Sequence, residues 1–364
     1  MALDTLQNQL QNLNLVDPEF LPFSPTEAAK RQHGTFDDVP RYLFRVFTPK
    51  SQGITDTSWT KSMDARYGAK NSWVDVFSRA DQKHTAQMLH RHLQWWEGPD
   101  DNLVSWTSSL LFALTYIFHL RANTRDRSTF GNIYLCVIDT SSFPDGAFVR
   151  DMDLIRFYRS ADEGLREFER LRSRKRVGFT GYYYFGEYLS QGALKIEGKC
   201  QIVSARDIID KGLYDIRSEF REFANWEPKL RPPWAKPVIE LRETLYNKTE
   251  RSGITGKGLQ AAFNISQLFE PNWRLPIVAS LIALGPPRTN DEEVLLAFRK
   301  SIFTGHNREN CSPWRTKMIV YDTPPEVQEY SVIMQSIHRD YCLRKLKESL
   351  GKAESSLRQT IMLS

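Results

Sequence analysis

The spacing of apolar residues predicts short strands and amphipathic helices over the first two thirds of the chain. Residues 41–47 are aromatic and β-branched and end just before a proline, which is typical of a strand. Residues 80–96 carry apolar side chains at helical spacing. Further strands are predicted at 102–107, 132–138, 182–189 and 194–203, and further helices at 108–118 and, after a capping box that begins at Ser160, at 160–173.

Beyond a proline-rich stretch the pattern becomes helical. Residues 225–237 hold four prolines in 13 positions, which favours a linker. Helices are predicted at 290–303, with a cap at Asn290, and at 325–350, where Gly351 is expected to end the helix. Because strands and helices do not alternate strictly, the pattern favours an α+β fold over a doubly wound parallel sheet.

These patterns divide the chain into four parts. Residues 1–39 are predicted to form a weakly ordered N-terminal segment, and residues 40–224 an α+β domain. Residues 225–240 are the Pro-rich linker, and residues 241–364 are a mainly α-helical C-terminal region.

Composition limits the classes of protein that fit. The 364 residues include 49 Lys and Arg against 44 Asp and Glu, and this small excess does not indicate nucleic-acid binding. The N-terminus lacks the basic start and apolar core of a secretory signal. The longest apolar stretch, residues 110–118, is about half of what a bilayer span needs. The four cysteines match no zinc or redox spacing. We therefore expect a cytoplasmic or nuclear protein that does not enter a membrane.

Common enzyme motifs are absent from the sequence, which holds no dinucleotide-binding glycine fingerprint, no Walker A loop, no metalloprotease helix motif and no nucleophile elbow. His90 and His92 fall in a predicted helix where positions i and i+2 point apart, so both are expected to face solvent. Residues 166–176 hold six basic side chains. They are expected to form a solvated helix face followed by a basic loop, with phosphate contact as the alternative.

Three separate segments place polar groups in apolar surroundings. Arg45 lies inside an aromatic strand, where a guanidinium is costly to bury without an anion. Ser105 and Thr107 share one face of the strand that precedes a buried helix. Glu187 lies where a predicted strand meets a turn. Structural interpretations stay open: a core ion pair for the arginine, helix capping for the hydroxyls, and a solvated strand end for the glutamate.

Together these groups suit the cleavage of a glycosidic bond with a good leaving group. An arginine can bind a diphosphate with two parallel hydrogen bonds, and a strand-to-helix junction offers backbone N–H groups to phosphate. A hydroxyl can orient a carboxylate that stabilises an oxocarbenium-like transition state. Glu197 is an alternative acid, although the sequence Glu-Gly-Lys around it favours a tight turn.

The order of arginine on a strand, Ser or Thr at a strand-turn-helix junction, and then glutamate resembles the Arg–Ser/Thr–Glu pattern of the ADP-ribosyltransferase fold. More closely, residues 41–46, 103–113 and 186–193 resemble an uncharacterised domain family of filamentous fungi, and the resemblance covers roughly residues 40–220. It implies a split antiparallel or mixed sheet with flanking helices, and NAD as the substrate.

The resemblance also implies a role for each matching residue. Arg45 would bind the nicotinamide-side phosphate or ribose of NAD, and Glu187 would be the catalytic carboxylate. Ser105 would hydrogen-bond that carboxylate, and Thr107 with Ser108 would contribute to the nicotinamide pocket.

Two features depart from the family pattern. Trp106 interrupts a hydroxyl triplet that is usually contiguous, which leaves the register of the three hydroxyls open. Phe185 stands where arginine-modifying transferases carry Glu or Gln, so an arginine acceptor is disfavoured. Tyr184, with the two tyrosines before it, is expected to supply an aromatic wall for nicotinamide, and sheet core is the alternative.

We therefore expect NAD-dependent ADP-ribosyl transfer or NAD glycohydrolysis. The alternatives are a catalytically inactive binding or scaffold module on the same fold, and a basic nucleic-acid-associated protein. The ADP-ribose acceptor is open, a protein being one candidate, and nucleic acid is disfavoured as a partner. The amphipathic final helix could pack onto the first domain, bind a partner or mediate self-association.

Overall fold

The computed structural model describes residues 19–27, 39–174, 183–246, 253–285, 292–301 and 323–363. These residues form an α+β architecture, as predicted. Its strands are β1 (Tyr42–Phe47), β2 (Ile54–Thr55), β3 (Trp59–Lys61), β4 (Leu103–Thr107), β5 (Tyr134–Asp139), β6 (Val149–Arg150), β7 (Glu187–Gln191), β8 (Ala193–Lys195) and β9 (Cys200–Ser204).

The strands make two antiparallel sheets. The larger sheet has six strands in the order β6-β7-β4-β1-β5-β9, and the smaller sheet has three in the order β2-β3-β8. Strand β1 pairs with β5 along all of its residues, but it pairs with β4 only where Phe44 lies opposite Thr107. The centre of the larger sheet is therefore divided between β1 and β4.

Helices flank the sheets and make up most of the C-terminal part. In the first part they are α1 (Met63–Arg66), α2 (Gln82–Leu93), α3 (Leu110–Ala122), α4 (Asp151–Tyr158), α5 (Glu163–Arg172), α6 (Ala205–Asp210), α7 (Leu213–Ile216) and α8 (Glu219–Ala224). They continue with α9 (Ala235–Tyr246), α10 (Gly256–Ser266), α11 (Pro271–Ile282), α12 (Glu292–Ser301) and α13 (Pro325–Leu363). Within the described residues no helix is both long and apolar enough to cross a membrane.

One hydrophobic core joins the larger sheet to the C-terminal helices. Helix α3 is apolar on nearly all sides and is buried at its centre, as its sequence predicts, with Ser109 as its N-cap. Its side chains share a core with Phe44 of β1 and with Phe263, Phe298 and Ile337 of the C-terminal helices. The C-terminal helices therefore pack against the larger sheet through the same core as α3.

A buried ion pair fixes the C-terminal helices to the segment that leads into β7. Arg242 of α9 and Glu326 of α13 are 0% and 2% exposed and make two hydrogen bonds, of 3.0 and 2.7 Å. The same guanidinium donates to the backbone carbonyl of Tyr184 at 2.9 Å. Removing one partner of such a pair leaves a buried charge without a partner, which typically lowers the free energy of unfolding by about 3–5 kcal/mol.

Some predicted boundaries need correction. The strand predicted at 194–203 is two strands, β8 and β9, because the turn around Gly198 interrupts it. The strand predicted at 182–189 begins at Glu187, since Gly186 before it has a φ of +69° that breaks the extended backbone. Tyr182 lies outside the described residues, as do Asn290 and the last two residues of the basic run.

The ends of two helices also differ from the prediction. The N-cap of α5 is Asp162, whose side chain accepts from the N–H of Leu165, rather than Ser160. Helix α13 continues through Gly351 to Leu363, so the prediction that this glycine ends the helix is wrong. Glycine inside an exposed helix costs only about 1 kcal/mol, which the helix can tolerate.

Gly186 offers a test of the close approach between β7 and the start of α3. A Cβ at this residue would lie 2.3 Å from Oγ of Ser108, on a backbone with positive φ. We expect Gly186→Ala to lower the free energy of unfolding by roughly 2–4 kcal/mol, combining backbone strain with overpacking. Gly198→Ala is the matched control, since φ is +70° there and nothing lies within 4 Å of the new Cβ. Equal losses in urea titrations of the two variants would contradict the close approach.

Candidate active site

A cleft of about 1370 Å³ opens beside the divided sheet. Arg45, Ser105 and Glu187 line it from strands β1, β4 and β7, and Trp234 and Ile239 line it from the Pro-rich stretch and α9. The structure therefore brings the three candidate residues from distant parts of the sequence to one cavity. It also adds side chains from the predicted linker to the same cavity.

The side chain of Arg45 occupies the division between β1 and β4. Its Nη1 donates to the backbone carbonyl of Ser105 at 2.9 Å, and its Nε donates to Oγ1 of Thr55 at 3.1 Å. Burial lowers the pKa of Arg45 from its usual high value, and an arginine so shifted still carries its charge at neutral pH. Neither contact is a carboxylate, so among the described residues the guanidinium has no direct anionic partner and its charge is available to the cleft.

Ser105 and Glu187 form the central hydrogen bond of the site. Oγ of Ser105 lies 2.8 Å from Oε1 of Glu187. The antiparallel register explains the contact, because Glu187 lies opposite Thr107, two residues from Ser105 on the same face. Trp106 points to the other face, where it is buried and donates to Oγ of Ser190 at 3.0 Å.

His92 and Asp101 extend this hydrogen bond into a chain. Nε2 of His92 lies 2.8 Å from Oγ of Ser105, and Nδ1 lies 2.9 Å from both carboxylate oxygens of Asp101. If both imidazole nitrogens carry protons, His92 donates to Asp101 and Ser105, which leaves the serine proton for Glu187. The charged imidazolium is thus the form that satisfies all of these contacts together.

The pKa of His92 is raised from its ordinary value. Burial acts to lower that pKa, but the carboxylates of Asp101 and Glu187 outweigh it, while Arg45 opposes them. The raised pKa favours the charged form that the hydrogen bonds require. The largely buried His92 therefore lies between two carboxylates that favour its charged form.

Arg172 binds the other oxygen of Glu187. Its Nη2 lies 2.9 Å from Oε2, and its Nη1 forms an ion pair with Asp151. The side chains of Arg172 and Glu187 are 7% and 12% exposed. Two basic side chains, His92 through Ser105 and Arg172 directly, therefore fix both oxygens of this carboxylate.

Thr107 and Ser108 have mainly structural contacts. Thr107 lines the cleft, but its hydroxyl donates to the carbonyl of Phe185 at 2.7 Å and accepts from the N–H of Ser109 at 2.9 Å. Ser108 lines a separate small cavity together with Glu326, and its N–H donates to the carbonyl of Gly186. The hydroxyl of Thr107 is therefore occupied by backbone groups, and Ser108 lies outside the cleft, so that of the three hydroxyls Ser105 contacts Glu187.

Tyr184 lies behind the cleft rather than on its surface. It is buried, and its hydroxyl donates to Oδ1 of Asp151 at 2.9 Å and accepts from Nε of Arg150 at 3.2 Å. The neighbouring side chains of Tyr183 and Phe185 line the cleft instead. An aromatic surface is present where the tyrosine run predicts one, but Tyr184 is not part of it.

Five half-buried aromatic side chains cover one side of the cleft and are called the aromatic wall: Trp95, Phe112, Tyr116, Phe185 and Trp234. The ring centroid of Trp95 lies 4.5 Å from that of Trp234 and 4.9 Å from that of Tyr116. Phe185 lies 5.0 Å from Trp234 and 5.5 Å from Phe112. The wall therefore combines rings from the turn after α2, from α3, from the approach to β7 and from the Pro-rich stretch.

Two expectations about basic residues are wrong. His92 is not solvent-exposed, and Arg172 is not part of a solvated helix face. The signal that identifies them is their position on apolar stripes. His92 follows Leu89 by three residues on α2, and Arg172 follows Phe168 by four on α5. Within the described residues no group of three His, Cys, Asp or Glu side chains is placed to hold a metal ion.

Residues 38–198 match the model of a family described as Domain of unknown function (DUF7587). No curated protein and no solved structure matches the chain. The matched region contains Arg45, His92, Ser105 and Glu187, whereas Trp234 lies outside it. The match confirms the resemblance to a domain family without an assigned activity, and the resemblance to ADP-ribosyltransferases stays a prediction.

The raised pKa of His92 predicts a pH-dependent contribution to stability. A group whose pKa is higher in the folded state stabilises the fold below its unfolded pKa and loses that contribution as the pH rises through its folded pKa. His92→Gln should therefore cost more free energy of unfolding at pH 5.5 than at pH 9, measured by urea titration. His84→Gln, at a more exposed histidine beside Asp100, is the matched control. A cost for His92→Gln that does not change with pH would contradict the buried imidazolium.

Proposed function

We propose that this chain cleaves the bond between nicotinamide and ribose in NAD and passes the ADP-ribosyl group to an acceptor or to water. The observation that carries the proposal is the 2.8 Å contact between Ser105 and Glu187, in one cleft with the guanidinium of Arg45. These are the groups that such chemistry needs: a fixed carboxylate next to the ribose and a cation next to the diphosphate.

Each residue has a distinct part in the proposed reaction. Arg45 binds a diphosphate oxygen with its remaining donors, and Glu187 accepts a hydrogen bond from a ribose hydroxyl. The bond from C1′ to the nicotinamide nitrogen then breaks, with both electrons leaving on nicotinamide. The carboxylate stabilises the oxocarbenium-like centre that results. A nucleophile gives its lone pair to C1′ and loses a proton, which completes the transfer.

His92, Asp101 and Arg172 keep the carboxylate of Glu187 in position for this step. Charge-assisted hydrogen bonds on both of its oxygens limit its rotation, so it need not reorganise as positive charge develops on the ribose. Each carboxylate oxygen retains a further lone pair for the substrate. These side chains act through Glu187 and Ser105, which makes them positioning residues.

A serine-hydrolase function fits the same residues less well. Asp101, His92 and Ser105 are aligned like a hydrolase triad. However, the Glu187 carboxylate lies 2.8 Å from Oγ of Ser105 and would repel the oxyanion that forms when a serine attacks an acyl group. Ser105 also lies within a strand rather than on the sharp turn that exposes such nucleophiles.

A catalytically inactive binding module is the second candidate. The ion pair between Arg172 and Glu187 favours it, because this contact already compensates the charge of the carboxylate. The two candidates differ in one result: an inactive module would bind NAD or another partner without releasing nicotinamide.

The carboxylate of Glu187 gives the first test of the proposed function. Glu187→Gln should reduce nicotinamide release from NAD by roughly 100-fold or more, since the neutral amide no longer stabilises the cationic transition state. Circular dichroism and urea titration should confirm that the variant is folded. Glu197→Gln, at an exposed glutamate outside the cleft, is the control and should retain full activity. Turnover of NAD by Glu187→Gln at the wild-type rate would reject the assignment.

The guanidinium of Arg45 gives a second test of the proposed function. Arg45→Lys should weaken NAD binding about tenfold, because an ammonium cannot make two parallel hydrogen bonds to a diphosphate. Arg41→Lys, just before the same strand and paired with Asp139 away from the cleft, is the matched control and should bind NAD like the wild type. Calorimetric titration with NAD measures both affinities. Equal affinities for the two variants would contradict the role of Arg45.

A further inference from the structure

The cleft has two chemically different ends. One end holds Arg45, Ser105 and Glu187, and the other is the aromatic wall. Pockets for a single small ligand measure about 300–1,000 Å³, so a cleft of about 1370 Å³ has room for a second group beside one ligand. The aromatic wall is the part of the cleft that could contact this second group.

Trp95 is held in an unfavourable backbone conformation at the edge of the wall. Its φ is +55°, in the left-handed region that costs a non-glycine residue about 1–2 kcal/mol. A glycine at the end of α2 would avoid this cost. Backbone strain of this kind is often found at binding sites, and here it places the indole against Trp234 and Tyr116.

The polar atoms of the wall are donors that suit a ligand with lone pairs. The indole N–H groups of Trp95 and Trp234 and the hydroxyl of Tyr116 have no hydrogen-bond partner among the described residues, and none of them is sealed from solvent. Burial raises the pKa of Tyr116 to about 12, so its hydroxyl keeps its proton and can donate. An indole N–H donates and does not accept.

These donors separate the candidate ligands. A guanidinium or ammonium group could lie over the rings, but it has no lone pair to offer an indole N–H. A nucleobase has flat faces for stacking and, at its edge, ring nitrogens or carbonyl oxygens that accept hydrogen bonds. A planar heteroaromatic base therefore satisfies the wall, whereas the side chain of an arginine or lysine acceptor does not.

We propose that the aromatic wall is a nucleobase subsite, separate from the subsite at Arg45 and Glu187, and that it holds the acceptor of the ADP-ribosyl group. The role of the base as acceptor rests on the proposed function, whereas the binding of a base at the wall does not. In the transfer, a nitrogen of the base gives its lone pair to C1′ and loses a proton to solvent, while nicotinamide leaves with the electrons of the broken bond.

Tryptophan fluorescence of the wild-type protein tests the subsite with adenosine and guanosine as probes. We expect at least one nucleoside to quench fluorescence saturably, and ribose and free arginine not to do so. Base stacking on an aromatic ring is worth about 1–3 kcal/mol, so Trp234→Ala should weaken nucleoside binding roughly 5- to 150-fold. Trp73→Ala, which removes an exposed indole outside the cleft, is the matched control. The absence of saturable quenching, or equal affinities for the two variants, would overturn the proposal.

Saturating ADP-ribose then separates an acceptor base from the adenine of the dinucleotide. The nucleoside affinity should change less than twofold if the two ligands occupy different subsites. Competition would show that the wall takes the adenine of NAD and would overturn the acceptor assignment. A base can come from a free nucleotide or from a nucleic acid. Tighter binding of guanosine monophosphate would identify a free nucleotide as the source, and tighter binding of a short single-stranded oligonucleotide would identify a nucleic acid.

The experiments distinguish an error in the proposed catalytic function from an error in the proposed base subsite. If Glu187→Gln turns over NAD at the wild-type rate while Trp234→Ala loses nucleoside binding, the catalytic assignment is wrong and the base subsite stands. If Glu187→Gln is inactive while no nucleoside binds, the base subsite is wrong and the catalytic assignment stands.

Discussion

The candidate site depends on a balance of buried charge around one hydroxyl group. Ser105 contacts the carboxylate of Glu187 and the imidazole of His92, and each of these has a further ionic partner, Arg172 and Asp101 respectively. A buried charge without a partner is costly, so each of these groups holds the next in place. The geometry of the carboxylate is therefore a property of the whole chain of contacts rather than of Ser105 alone.

The division of the sheet and the C-terminal helices make this arrangement accessible to a ligand. Because β1 and β4 pair directly at a single position, the guanidinium of Arg45 can lie between them and still reach the cleft. Arg242, which is paired with Glu326, donates to the carbonyl of Tyr184 and so fixes the backbone just before Glu187. The helical region thus contributes one side of the cleft and also supports the strand that carries the candidate carboxylate.

Local sequence patterns predicted the strands that carry Arg45, Ser105 and Glu187, because the period of two in a strand fixes which side chains share a face. They did not predict His92, Asp101 or Arg172, whose partners are distant in sequence or, for His92 and Asp101, joined only by folding of the loop between them. Polar residues on a helix usually face solvent, and only their apolar neighbours Leu89 and Phe168 mark the exceptions. The aromatic wall required tertiary structure as well, since Trp234 comes from a stretch that composition alone marks as a linker.

NAD that carries separate labels in its nicotinamide and adenosine parts provides the most direct test of the central claim. The labelled dinucleotide would be incubated with the purified protein at concentrations that saturate binding. The account predicts that the nicotinamide label is released as free nicotinamide while the adenosine label stays on ADP-ribose or on an acceptor. Bound NAD that remains intact, or that breaks at the diphosphate so that nicotinamide stays attached to its ribose, would contradict the account.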